Sequence, residues 1–205
     1  QRIKSVFWEL IDSRLCISFG CVLVLGLICE PFISVWLSPK YLLGHEVLIL
    51  VCILSFLSIN RSTVDGYIGG YGLFQDIWAP AFALGYFFDI AGVLMGGLAS
   101  NLIIVNGWKP YFLYTRGFKI NPWRGYFLPM AWRWGLLAAN GVLFVWLDSM
   151  LHPENLNSYL NIAIYGLVLS VIIIPSIYIQ FYILTPGTRN FHKRIVNIIK
   201  EKLHK

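Results

Sequence analysis

The sequence contains few charged residues. Only 13% of its 205 residues are Asp, Glu, Lys or Arg, about half the share found in soluble globular domains. This scarcity, with 58% hydrophobic residues and a mean hydropathy of +0.68, excludes a water-soluble enzyme, a disordered segment and a nucleic-acid-binding domain. The net charge of +6 does not indicate a nucleic-acid partner, because the positions of basic residues matter more than their number.

Cysteine and histidine are also scarce. Cys16, Cys21, Cys29 and Cys52 lie in apolar runs without the spacing of a metal site, and we interpret them as small buried hydrophobic residues. The four histidines are scattered through loops and the C-terminal segment. The sequence has no nucleophile elbow, phosphate-binding loop or paired-carboxylate motif. We therefore predict a protein that is not an enzyme and that binds no metal ion or other cofactor.

Long apolar runs dominate the chain, and a membrane-spanning helix needs roughly 20 apolar residues. Trp36, Trp108 and Trp146 lie at the ends of such runs, as is typical of residues in the lipid headgroup layer. We predict an all-α integral membrane protein with about six spans, formed by a helical bundle over residues 1–188 and a basic cytoplasmic tail over residues 189–205. The predicted spans are residues 15–37, 47–59, 78–88, 90–114, 126–147 and 159–184.

The basic residues alternate along the chain in a way that predicts its topology. Lys and Arg in short loops mark the cytoplasmic side of a membrane protein. The segment before the first run, the 109–124 segment and the C-terminal segment are basic, whereas the loops after the first and fifth runs are nearly free of cations. Six crossings place all basic segments on one side. This predicts a multi-pass membrane protein with both ends of the chain in the cytoplasm.

The third predicted span is too short for this topology. Residues 79–108 must cross the membrane twice, but two full spans need roughly 40 residues. The sequence leaves three solutions open: a re-entrant half-helix whose backbone is buried by protein, a span through a thinned bilayer, or a deletion relative to related proteins.

Short motifs rich in glycine, proline and aromatic residues follow one another between Pro31 and Phe118. Their order and spacing are more specific than any single motif. The motifs are PFISVWL at 31–37 with Lys40-Tyr41 after it, GYGLFQDIWAP at 70–80, GYFFDIAGVLMGG at 85–97, WKPYFLY at 108–114 and Gly117-Phe118.

In this order the motifs resemble bacterial polysaccharide flippases of the multidrug/oligosaccharidyl-lipid/polysaccharide exporter superfamily. The resemblance implies a two-lobed all-helical fold of 12–14 helices, of which this chain resembles the last six. Relatives carry a longer helix after the position of Pro80, which favours a deletion that shortens or truncates the third span, at residues 79–89. The resemblance and the start at Gln1 predict that the N-terminal helices of the same protein are missing from this chain and form its partner.

Ionisable residues inside spans are costly and are therefore candidates for function. Arg61 and Asp65, four residues apart, either line the substrate pathway, with Arg61 on a pyrophosphate, or form an interfacial ion pair. Arg133 either lines the pathway or extends to the cytoplasmic interface. Glu30 is either a proton-coupling carboxylate or an interfacial group, and Asn101 either a pathway residue or an interhelical hydrogen-bonding group.

The resemblance implies a transporter that flips lipid-linked oligosaccharide repeat units by alternating access, in O-antigen (lipopolysaccharide) or capsule biosynthesis. Its partners are then the lipid bilayer and an undecaprenyl-pyrophosphate-linked oligosaccharide, and not a nucleic acid. A multidrug or cation antiporter of the same superfamily is an alternative, which predicts acidic residues deep in helices. A third alternative, an integral-membrane polysaccharide polymerase, predicts a large outward loop, whereas the predicted outward loops are short.

Overall fold

Helices make up the described part of the chain in a computed structural model, which covers residues 2–42, 44–70, 89–151, 153 and 156–203. Within these residues there is no β-strand. The α-helices are α1 (Arg2–Trp36), α2 (His45–Gly70), α3 (Asp89–Ser100), α4 (Lys109–Phe112), α5 (Leu128–Leu151), α6 (Tyr159–Leu184) and α7 (Pro186–Leu203), with a 3-10 turn at Pro39–Tyr41 and π-helical stretches at Asn101–Trp108, Leu113–Gly117 and Trp123–Phe127.

Four helices are long and apolar enough to cross a membrane: α1, α2, the Trp123–Leu151 helix that includes α5, and α6. At most 22% of the most apolar stretch of each helix is buried inside the bundle. The rest of this apolar surface faces outward, which water disfavours and lipid tolerates. The predicted all-helical architecture is confirmed for the described residues, and these four helices are candidate membrane spans. The predicted third span, residues 78–88, lies outside the described residues.

The predicted fourth span, residues 90–114, lies in a helix that alternates between α and π geometry. Ser100, Lys109, Phe112 and Leu113 join its pieces, and all four have α-helical backbone angles, so the helix continues from residue 89 to residue 117. We call it the 89–117 helix. It is not among the four helices above, although its whole length of roughly 40 Å exceeds the thickness of a bilayer core.

Helix α1 is longer than the first predicted span. It begins at Arg2 instead of near Leu15, and its first half contains most of its buried residues, including Phe7 and Ile11. Pro31 was expected to kink or end the helix, but the helix continues to Trp36. The residues before the apolar run therefore belong to the helical core.

Helix α1 is the central element of the bundle, since it packs against α2, α5, α6 and α7. It runs antiparallel to α6, with Gly20 against Ile174 and Gly166 against Ile28. A Cβ atom at Gly20 would lie 2.9 Å from the Ile174 Cγ1 atom. The missing side chain therefore permits the close approach of α1 and α6, as small residues do between membrane helices.

Candidate functional site

A cavity of about 900 Å³ lies between α1, α2 and α5. We call it the central cavity. Its walls are apolar along most of their length and include Leu27 of α1, Ile53 of α2 and Val145 of α5. Its volume is in the range of small-molecule sites, which are typically mostly apolar with a few polar groups. The polar residues that line it are Glu30, Ser34, His45, Asp148 and Ser149.

These polar residues gather at the end of the bundle where α1 ends, α2 begins and α5 ends. Glu30 Oε1 lies 2.9 Å from His45 Nδ1, and this contact joins α1 to α2. The pair is accessible, with 41% of the Glu30 side chain and 74% of the His45 side chain exposed. Asp148 accepts a hydrogen bond from the Tyr165 hydroxyl, which joins α5 to α6. The central cavity thus has an apolar interior and a polar mouth that contains two carboxylates.

Aromatic side chains close the opposite end of the bundle, where α1 begins. Phe7 lies at their centre, with ring centroids 5.0 Å from Tyr67, 5.7 Å from Phe118 and 5.9 Å from Tyr114, all edge-to-face. Tyr126 completes the group at 5.5 Å from Tyr114. We call these five residues the aromatic plug. Phe7 and Tyr114 are fully buried, so the plug fills the interior of the bundle at this end.

Arg133 lies beside the aromatic plug, in a buried ion pair with Asp12 of α1. Its Nη2 donates to Asp12 Oδ2 at 3.0 Å, and its Nε donates to Oδ1. Its Nη1 donates to the Pro129 carbonyl at 2.9 Å, and the guanidinium carbon lies 4.2 Å from the Trp8 ring centroid. Arg133 does not extend to the interface, because a fully buried carboxylate on α1 already neutralises it.

A second ion pair holds α7 against α1. Arg194 Nη2 lies 2.9 Å from Glu9 Oε2, whose side chain is almost fully buried. Gly187, in the first turn of α7, contacts the Trp8 carbonyl and the Asp12 carboxylate so closely that a Cβ atom there would overlap them. The predicted boundary between bundle and tail, at residue 188, therefore lies within a helix that packs on the bundle.

Arg61 and Asp65 form the expected ion pair, at 3.9 Å between Arg61 Nε and Asp65 Oδ2. Asp65 also contacts the Lys109 ammonium, which joins α2 to the 89–117 helix. Both Arg61 and Asp65 are partly exposed near the basic end, and neither lines the central cavity. Their role in a substrate pathway remains a prediction.

The amide side chains within the spans differ in their partners. Asn140 and Gln180 exchange two hydrogen bonds, of 2.8 and 2.9 Å, between α5 and α6, as predicted for interhelical groups. Asn101 instead donates to the Gly97 carbonyl of its own helix at 2.9 Å, and its Oδ1 is buried without a partner. The structure places Asn101 away from the central cavity.

Glu9 and Asp12 were not among the candidate residues predicted from the sequence. Both lie before the long apolar run, in a segment where Arg2, Lys4 and Arg14 suggested a solvated flank. The sequence does contain a signal that this segment is buried. Phe7, Ile11 and Leu15 repeat at helical spacing, which is typical of the buried face of a helix. An acid on such a face requires a cationic partner, and Arg133 is a buried cation of the fifth span.

Most cations of the described residues lie at one end of the bundle. Cations gather where α1 begins and α2 ends, which we call the basic end, and Lys40 is the exception at the other end. Glu30, Glu46 and Asp148 lie at the end that holds the mouth of the central cavity.

The chain was compared with models of protein families, with curated proteins and with solved structures, and none of them matches.

Proposed function

We propose that this chain is part of a membrane transporter that flips lipid-linked oligosaccharides, and that the central cavity is its substrate compartment. The observation that carries the proposal is the combination of an apolar interior with a polar mouth in one cavity of about 900 Å³. Such a cavity suits an amphipathic molecule whose hydrocarbon chain lies against the apolar walls. The hydroxyl groups of a sugar can then hydrogen-bond to Glu30, Asp148 and the serines at the mouth.

The two ends of the bundle support alternating access. The mouth of the central cavity is accessible, whereas the aromatic plug and the Asp12–Arg133 and Glu9–Arg194 pairs close the basic end. A transporter needs states in which one side is closed while the other is open. We propose that the structure corresponds to the state open away from the cytoplasm, and that opening of the basic end requires these contacts to separate.

The directions of the helices support six crossings. Gly97 packs against Leu54, and Lys109 contacts Asp65, so the 89–117 helix and α2 run in the same direction. Gly70 therefore lies at the basic end and Asp89 at the other end. Residues 71–88, which connect them, lie outside the described residues. The proposed topology has six crossings and places both ends of the chain on the cytoplasmic side of a bacterial inner membrane.

A cation antiporter is a second candidate, and the acidic mouth of the central cavity is the observation that favours it. Glu30 and Asp148 both line this cavity, and carboxylates are the groups that bind protons or other cations in such transporters. The two candidates differ in what fills the apolar interior. A hydrocarbon chain needs the whole cavity, whereas a small cation needs only the mouth.

Filling the interior with the Ile49→Trp substitution distinguishes these functions. In cells that carry the variant in the native gene, we expect export of surface polysaccharide to fall at least tenfold and lipid-linked repeat units to accumulate. Ile49 lines the central cavity, and the added ring occupies the space for a hydrocarbon chain. Polysaccharide on the cell surface and lipid-linked precursor in membrane extracts are measured together.

Ile183→Trp is the matched control, because Ile183 is exposed on α6 and does not line the central cavity. We expect normal export with this control at equal protein levels. Normal export with Ile49→Trp would contradict the proposal. Loss of drug or cation resistance with intact export would instead support the antiporter.

A further inference from the structure

Helix α7 carries an apolar side that the bundle covers only in part. Phe191, Ile195, Ile198 and Ile199 recur at the spacing of one helix face. The three isoleucines are 39%, 48% and 51% exposed. Contact of such a face with water is unfavourable, so the second half of α7 requires a partner.

The opposite side of α7 is basic. Arg189, Lys193 and Lys200 lie on that side together with Asn197, and all four side chains are exposed. Among the residues that the structure describes, no carboxylate pairs with these three cations. Glu201 is the one acidic residue of the helix. A helix with an apolar side and a cationic side is typical of helices that lie in the plane of a membrane surface.

The apolar side continues the surface by which α7 packs on the bundle. Gly187, which contacts α1, and Ile198 are eleven residues apart, and the fully buried Thr188 and Ile195 are seven residues apart. Both separations correspond to whole turns, so these residues lie on one side of the helix. The same side is therefore covered by protein where α7 begins and uncovered further along.

The course of α7 keeps it beside the end of α6. His192 Nδ1 lies 2.8 Å from the Tyr178 hydroxyl, and the His192 ring centroid lies 5.4 Å from that of Tyr182. If α7 continued along the axis of α6, His192 would lie roughly 20 Å from Tyr178. Thr185 has extended backbone angles and interrupts the helix. Helix α7 therefore turns at Thr185 and stays level with the last two turns of α6.

This level is where the apolar run of α1 begins. The register of the antiparallel helices α1 and α6, given by Gly20 beside Ile174, sets Tyr178 level with Cys16. Cys16 is the second residue of the apolar run 15–37. A helix of that length spans about 35 Å, slightly more than the hydrocarbon core, so its start lies near the lipid headgroups. Helix α7 lies at the same depth.

We propose that the second half of α7 lies on the membrane surface at the basic end and binds anionic phospholipids. Ile195, Ile198 and Ile199 then contact acyl chains beside the bundle. The cations of the opposite side lie within a Debye length of the lipid phosphates, which attract them. Lys202, near the apolar side, can extend its ammonium group to the headgroups. This role does not depend on what the central cavity carries.

Fluorescence quenching in lipid nanodiscs tests the depth of α7 in the whole chain. In a variant with the four native cysteines replaced by alanine, bimane is attached to a single cysteine, introduced as Ile199→Cys or as the matched control Asn197→Cys on the opposite side. We expect phosphatidylcholine brominated on its acyl chains to quench the Ile199→Cys label several-fold more strongly than the Asn197→Cys label. Aqueous iodide should quench the two labels in the reverse order.

Two outcomes of this experiment would overturn the proposal. Equal quenching of both labels by iodide would place both sides of α7 in water. Protection of the Ile199→Cys label from iodide and from brominated lipid would show that protein, such as a second copy of the chain, covers the apolar side.

The preference for anionic lipid is measured with brominated phosphatidylglycerol in place of brominated phosphatidylcholine, as a minor component of the same nanodiscs. Each Lys or Arg near an anionic surface contributes a preference of about fivefold. We therefore expect phosphatidylglycerol to associate with the Ile199→Cys label at least about fivefold more strongly than phosphatidylcholine. The paired substitutions Lys193→Gln and Lys200→Gln should lower this preference at least about threefold and leave quenching by brominated phosphatidylcholine unchanged.

Lys119→Gln with Arg124→Gln is the matched control, since it removes two exposed cations of the basic end that lie outside α7. We expect it to keep the preference for phosphatidylglycerol. Equal association of both lipids with the unsubstituted helix would overturn the proposal of an anionic partner. Equal losses in the two double variants would also overturn it, because they would show attraction to the general charge of the basic end.

Discussion

Replacing Asp12 with Asn is expected to destabilise the bundle by about 3–5 kcal/mol, the usual cost of removing one partner from a buried ion pair. The substitution leaves the Arg133 guanidinium buried, with no carboxylate to neutralise it. It also removes a link between α1 and α5 that lies next to the aromatic plug. The free energy of unfolding is measured by denaturing the purified protein with SDS in mixed micelles.

The double variant Asp12→Leu with Arg133→Met is the informative control. Apolar residues of similar size often replace a buried ion pair without loss of stability, so most of the lost stability should return. Asp65→Asn provides a second comparison, because Asp65 is partly exposed and its loss should cost about 1 kcal/mol or less. If Asp12→Asn unfolds at the wild-type SDS concentration, the buried pair does not hold α1 and α5 together.

Gly187→Ala is expected to destabilise the protein by about 1–3 kcal/mol, although alanine is the better helix former. The added methyl group would overlap the Trp8 carbonyl and the Asp12 carboxylate, so α7 must move away from α1. Thermal unfolding of the purified protein measures the effect. Trypsin should also cleave α7 faster in this variant, because a helix that has moved away from α1 exposes the backbone at its Lys and Arg residues.

Gly135→Ala has the opposite expected sign. Gly135 lies inside α5, and a methyl group there would meet nothing within 4 Å. Removing a helix-interior glycine should then stabilise the protein by up to about 1 kcal/mol. Equal effects of the two substitutions would contradict the packing of the first turn of α7 against α1.

The spans were predictable because the signal for a membrane helix is local. The runs at residues 126–147 and 159–184 lie within the helices Trp123–Leu151 and Tyr159–Leu184. Hydropathy detects such runs without knowledge of neighbouring helices. Polar amides inside the runs also suggested interhelical hydrogen bonds, and Asn140 and Gln180 form them.

The pairing of Arg133 was not predictable in the same way. Its partner, Asp12, is 121 residues away in the sequence, and a single sequence carries no record of which helices are neighbours. Charged residues near the start of the chain also suggested a solvated segment, whereas α1 buries Glu9 and Asp12 by pairing each with an arginine. Local hydropathy cannot detect a charge that is compensated by a distant one.

The central cavity depends on helix rotation, which hydropathy does not specify. The apolar runs of α1 and α2 have hydrophobic residues on all sides, so the sequence does not show which side faces a cavity. Glu30 was predicted as an ionisable candidate, but its contact with His45 and its place in the cavity required the structure.

The membrane topology is the central claim, and thiol labelling in intact cells tests it most directly. In a variant with the four native cysteines replaced by alanine, single cysteines are introduced at Arg124 and at Asn157, which are both exposed and lie at opposite ends of α5. An impermeant maleimide should label Asn157→Cys in intact cells and Arg124→Cys only after lysis. Equal labelling at both positions in intact cells would contradict the topology.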